Sequence, residues 1–162
     1  MKRIFYAVII LLVVIQFIRP EKNIAAGKSP NHISSQFPVP ENVDAILVKA
    51  CNDCHSNNTV YPWYSNIQPV AFWLNDHIKD GKKHLNFDEF TTYRAAKQFH
   101  KLEEVEGEVN EGEMPLKSYT LIHGNAKLTD AEKKILIDWS LAVRDSLKAR
   151  YPADSLVMPK RK

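Results

Sequence analysis

Residues 49–58 read KACNDCHSNN and hold both cysteines of the chain. Cys51 and Cys54 enclose two residues, and His55 follows directly. A Cys-x-x-Cys-His run is the attachment signature of c-type haem. The spacing has a chemical reason. Thiols about one helical turn apart reach two vinyl groups of one porphyrin, and the adjacent imidazole falls beneath the iron as an axial ligand. Three other readings compete. A zinc site normally takes four ligands, so Cys51, Cys54 and His55 need a distant fourth. A thioredoxin-like dithiol follows a strand and opens a helix, where the dipole lowers the thiol pKa. Here the pair ends a helical pattern with no βαβ alternation around it. A structural disulfide across two residues is strained. The motif therefore points to covalent haem.

Upstream, Val43, Ile46, Leu47 and Ala50 repeat at i, i+3, i+4 and i+7, so ENVDAILVKA (41–50) reads as a helix running into Cys51. Downstream, NNTVYPWYSN (57–66) is an aromatic-rich loop. Val70, Trp73, Leu74, His77 and Ile78 then mark a helix expected to end near Gly81, and a further helix is expected over 87–102. EGEMPLKSYTLIHGNAKL (111–128) is a loop by its Gly and Pro content. The last helix has the clearest start. Thr129 and Glu132 form a capping box, and Ile135, Leu136, Trp139, Ala142 and Val143 make its apolar face. No alternating strands follow, so the fold class is mostly α, with a helical haem domain at 41–147. Residues 21–40, with three prolines, read as an extended linker, and residues 148–162, basic at the end, as a loose tail.

The first twenty residues differ from the rest. Lys2 and Arg3 precede an apolar run from Ile4 to Ile18 broken only by Gln16, a basic region followed by a hydrophobic one. The run is short for a membrane span. Its best cleavage site, Ala25-Ala26, is poor, so an uncleaved signal anchor over residues 4–18 is favoured over a removable signal peptide and over a buried core helix. Either export reading puts the domain in the periplasm. In 162 residues that are 44% hydrophobic and 25% charged there is material for one globular domain. A net charge of +3 lacks the concentrated basic stripe of nucleic-acid binding.

The sixth iron position sets the function class. Met114, in a loop between Gly112 and Pro115, is the leading candidate, and His/Met ligation suits electron transfer. His77, on an apolar helix face, is the competitor. His84, His100, His123 and His32 have weaker cases. An open sixth site would suit a haem-based sensor or a peroxidase-like enzyme. Tyr61, Trp63 and Tyr64 could wall the haem edge, and Trp63 or Tyr64 could donate to a propionate. His55 needs an acceptor for its other nitrogen, and the carbonyl of Pro62 or Pro69 is the expected one. The acidic run Glu103, Glu104, Glu106, Glu108, Glu111 and Glu113 reads as a solvated helix face, or else as a docking patch for a basic redox partner.

CNDCHSNNTVYPWYSNIQPV (51–70), HLNF (84–87), EGEMPLKSYTLIH (111–123) and KLTDAEKKILIDW (127–139) occur in this order. Together they resemble the bacterial haem-binding domain family of cytochrome c-like envelope proteins, over residues 40–145. The resemblance implies haem c attached to Cys51 and Cys54, with His55 as axial ligand. By analogy with small cytochromes c it implies Met114 as the distal ligand, and a capped C-terminal helix packed across the N-terminal one. The expected function is haem binding with single-electron transfer to a redox protein partner, an electron carrier rather than a catalyst. A thiol–disulfide oxidoreductase remains the alternative outside haem chemistry.

Overall fold

A computed structural model describes residues 1–27 and 29–159. Its helices are α1 (Lys2–Ile15), α2 (Glu41–Ala50), α3 (Asn52–His55), α4 (Val70–His84), α5 (Ala95–Glu111), α6 (Lys117–Ile122) and α7 (Asp130–Arg150). Short 3-10 turns join them, and the fold is mostly helical. Among the described residues there is no strand, only an isolated antiparallel bridge between Ile24 and Asn58.

The core forms where α7 packs along α5 and across α2. Leu136 and Leu147 of α7 meet Leu102 and Val109 of α5 and Val43, Ile46 and Leu47 of α2, all buried. Local chemistry favours these helices. Both halves of the α7 capping box form: Thr129 Oγ1 accepts from Glu132 N–H, and Glu132 Oε2 accepts from Thr129 N–H. Glu41 and Asp44 open α2 and Lys49 closes it, each matching the helix dipole. Lys49 also pairs with Glu132, tying α2 to the start of α7. Ala142, expected on the buried face of α7, is exposed.

Several expectations are corrected. Residues 31–40 are not a free linker: Ile33 and Phe37 are fully buried, Phe37 meets Phe90 edge-on, and Trp139 Nε1–H donates to the Pro38 carbonyl at 2.9 Å. Apolar side chains spaced among prolines gave no helical period, yet they fill the gap between α7 and the 3-10 turn Phe87–Thr92. The helix expected over 87–102 starts at Ala95, because Asn86 caps a 3-10 turn and Gln98 Nε2 donates to the carbonyl of Tyr93 just before α5. The tail is held too, since Leu156 is buried in the core. Its basic end, Lys160–Lys162, and Lys28 of the expected linker lie outside the described residues.

The anchor expected over residues 4–18 is not supported as a span. α1 stops at Ile15 after 14 residues, about 21 Å of helix against the roughly 30 Å of a bilayer core. Among the described residues, no helix is long and apolar enough to cross a membrane. Nor is α1 a core helix, for none of its residues is buried. Gln16, its C-cap, pairs with the backbone of Gln68, Oε1 accepting from N–H at 2.9 Å and Nε2 donating to the carbonyl at 3.2 Å.

Two outcomes follow. Phe37→Ala is expected to cost about 3–5 kcal/mol in denaturant unfolding, as for a buried aromatic; a free linker would give a change within about 0.5 kcal/mol. Hydrogen bonding from Lys49, then from the Thr129 backbone, lowers the Glu132 carboxyl from 4.5 to about 2. This contribution is complete above about pH 4.5 and is lost as pH falls towards 2. Glu132→Gln should therefore flatten the acid limb of the stability–pH curve.

Candidate haem site

α2 ends at Ala50, and Cys51 is both its C-cap and the N-cap of the next turn. Cys51 N–H donates to the Leu47 carbonyl, and Cys51 then starts the single turn α3, where its own carbonyl accepts from Cys54 and His55 N–H. That turn sets Cys51, Cys54 and His55 on the wall of one cavity of about 800 Å³. The far wall comes from one face of α5, with Lys101, Glu104, Val105, Glu108 and Val109, and from Met114. Leu47, Leu128 and Leu136 add apolar surface. This size and lining match a pocket for a large, mostly apolar cofactor.

His55 is oriented from behind. Its Nδ1–H donates to the Leu85 carbonyl at 2.9 Å, not to Pro62 or Pro69. The acceptor is in reach because α4 does not end at Gly81: it continues to His84, and Leu85 is its C-cap. Burial lowers the His55 pKa, opposed by the hydrogen bonds to the Leu85 and Gly81 backbone. The ring is thus neutral, with its proton on Nδ1 and a lone pair on Nε2, the form in which histidine binds a metal.

Gly81 has the tightest position in the site. A Cβ built there lies 2.7 Å from the Cys54 carbonyl oxygen and 3.0 Å from Cys54 Cβ. Only glycine lets α4 approach α3 this closely, and the approach delivers the Leu85 carbonyl to His55. Its place inside a helix hides this in the sequence, where a glycine reads as a stop.

The second residue between the cysteines, Asp53, is also committed. Its carboxylate accepts from Tyr119 OH at 2.7 Å and from Val60 N–H at 2.9 Å. Burial, then the bond to Asp53, raises the Tyr119 pKa, so its hydroxyl stays protonated and donates. Tyr119 therefore lines the cavity, a role expected of Tyr61, Trp63 and Tyr64, none of which reaches it. Tyr61 OH instead accepts from Asn23 N–H, Tyr64 bonds His123, and Trp63 is exposed. Tyr119 and Asp53 carried no isolated sequence signal, since their pairing spans 66 positions.

Both thiols stay protonated where they stand. Burial, then the Cys54 charge, pushes Cys51 up to about 12. Burial, then Asp53, pushes Cys54 up to about 11. Reactive dithiols show the opposite shift.

Met114 is fixed by the end of α5. Gly112 adopts a left-handed conformation (φ 75°), its N–H donates to the Val109 carbonyl, and Glu113 N–H reaches back to the Glu108 carbonyl. This is a Schellman cap, and the Met114 N–H joins it on Glu108 at 3.1 Å. His77 lines the cavity as well, but from α4, with Nδ1–H donating to the Trp73 carbonyl at 2.9 Å. His84 is also on the wall, whereas His32, His100 and His123 are not. The acidic run is largely solvated, with Glu103, Glu108, Glu111 and Glu113 exposed, but part of it is also paired. Glu103 and Glu106 clamp Arg144 of α7, and Glu104 meets Lys101 and His100.

Gly81→Ala sets helix propensity against packing. Alanine gains about 0.5–1 kcal/mol in a helix interior, and overpacking costs about 1–3 kcal/mol. With backbone as the obstacle the clash is expected to win, lowering both unfolding free energy and haem retention; a stabilised variant that keeps full haem loading would show that α3 and α4 separate freely.

No curated protein and no solved structure matches the chain. A family model described as the haem-binding domain does, over residues 10–142. The cavity, its neutral imidazole and its two thiols fit such a ligand, and a match over this much of the sequence settles the family: the chain belongs to the haem-binding domain family.

Proposed function

We propose that the chain carries one haem covalently on Cys51 and Cys54, with His55 and Met114 as axial ligands, and passes single electrons. The observation that carries this reading is the shared wall. Both thiols and the neutral imidazole line one cavity, with the imidazole's second nitrogen already bonded to the Leu85 carbonyl. In attachment each thiol adds S–H across a vinyl double bond. The new C–S bond and the transferred hydrogen consume the π bond, so reduced thiols are needed and no oxidant is spent.

Bound haem supplies a one-electron ferric/ferrous couple, and the protein's part is ligation, orientation and exclusion of water. His55 contributes Nε2. Met114 is the better partner across the iron for a topological reason. The Nδ1 side of His55 faces the C-terminal end of α4, so a ligand on the opposite side comes from another element. His77 belongs to α4, whereas Met114 follows α5 on the far wall. Methionine ligation raises the reduction potential, which suits a carrier.

The raised thiol pKa values weigh against the dithiol oxidoreductase reading. Covalent attachment also suits an oxidising compartment, and Lys2 and Arg3 ahead of the exposed apolar α1 suit export to the periplasm.

Holoprotein made with haem-attachment machinery should retain its chromophore through acid–acetone extraction and give a c-type reduced pyridine spectrum. Loss of haem on extraction would overturn covalent attachment. Met114→Ala should keep the attached haem, lose the thioether-to-iron charge-transfer band, lower the potential and let the ferrous form bind CO. An unchanged spectrum and potential would remove Met114 from the iron.

A further inference from the structure

Four aromatic rings run from the cavity wall to the surface. Tyr119 lines the cavity and stacks on His123, with centroids 4.3 Å apart and planes 13° apart. His123 Nε2 is hydrogen-bonded to Tyr64 OH, with the ring centroids at 6.1 Å. Tyr64 meets Trp63 edge-on at 5.8 Å. Trp63 ends the series, 77% exposed. Each spacing is that of an aromatic contact, so no solvent gap interrupts the series.

The surface it reaches is unusual for this chain. A quarter of all residues are charged, yet residues 56–75 and 118–126 contain no Asp, Glu, Lys or Arg. The Tyr64–His123 bond joins these two stretches. The second stretch exposes Leu121 (85%) and Ile122 (57%), and the first exposes Trp63. Protein interfaces place aromatic residues at their core and deplete it of charge.

We infer that Tyr119, His123, Tyr64 and Trp63 form the electron path between the haem cavity and the surface at Trp63, where a one-electron redox protein takes the electron. This rests on the electron-transfer reading above. Electronic coupling falls steeply with each gap crossed through space, so contacting rings and one hydrogen bond form a better route than solvent. One electron leaves the ferrous centre and one arrives on the partner; the rings couple the two and undergo no net change. The cavity has a second aromatic neighbour on the outside, His77 stacked against Trp73 at 4.2 Å. Trp73 is 42% exposed, but its helix next presents Asp76 and Asp80, so its surroundings are charged. It serves as the matched control.

The test uses the reduced holoprotein and photogenerated tris(bipyridine)ruthenium(III), a bulky one-electron oxidant with flat apolar ligands. Oxidation of the ferrous centre is followed in wild type, Trp63→Leu and Trp73→Leu, with midpoint potentials measured so that rates are compared at equal driving force. Trp63→Leu is expected to slow oxidation several-fold and Trp73→Leu to leave it unchanged, with rates compared at one fixed ionic strength. Equal rates in wild type and Trp63→Leu, or slowing by Trp73→Leu alone, would overturn the path. Wild type that binds no haem would overturn the path together with the electron-transfer reading, and its spectrum separates that outcome from the others. Trp63 is largely exposed, so its replacement leaves the core intact.

Discussion

The site depends on one close approach, the packing of α4 against α3 at Gly81. Two backbones meet there with no room for a side chain, and two consequences follow. The CNDCH turn is held against a rigid helix, which fixes both thiols and the imidazole relative to each other. The end of that helix also brings the Leu85 carbonyl to His55 Nδ1. A neutral imidazole with a committed Nδ1–H has a defined tautomer and a defined lone pair. The same contact therefore sets the geometry of the site and the tautomer of its imidazole, while burial keeps that imidazole neutral.

The opposite wall is organised on different terms. α5 faces the cavity with one side and α7 with another, and its acidic residues divide between them. Glu103 and Glu106 hold Arg144, whose guanidinium also lies over Phe99, so the α5–α7 seam carries charge at its rim and leucines at its centre. Glu106 and Arg144 are largely shielded and Glu103 is half exposed, and together they tie one place on α5 to one place on α7. The register matters because the Schellman turn after α5 positions Met114, and any slip of α5 along α7 would carry Met114 with it.

Asp53 shows how the cysteine motif and the cavity wall are joined. It sits between the two cysteines in sequence, yet its carboxylate is occupied by Val60 and Tyr119. It holds the loop after the motif on one side and the aromatic wall on the other. Asn23 works in a similar way from the N-terminal side, bonding the Ser56 carbonyl and Thr59 Oγ1. The segment around the motif is therefore fixed by ties from distant parts of the chain and has little regular structure of its own.

The sequence alone determined the haem-binding family and the helical class. Cys51, Cys54 and His55 are adjacent, and a local motif needs no tertiary contact to be read. α2 and α7 were legible for the same reason, since hydrophobic period and a capping box act within a few residues. Met114 was legible as a candidate because few methionines compete with it. What tertiary structure decided is everything that depends on who approaches whom. Gly81 read as a stop because propensity knows only the helix it weakens, not the neighbour it admits. Phe37 read as linker because burial among prolines leaves no period. Leu85 as the partner of His55 and Tyr119 as the wall were invisible because backbone carbonyls carry no sequence signal and the Tyr119–Asp53 bond joins residues far apart in the chain. α1 kept its apolar reading but not its span, since the helix stops at Ile15, and only folding brings Gln16 at its end to the backbone of Gln68.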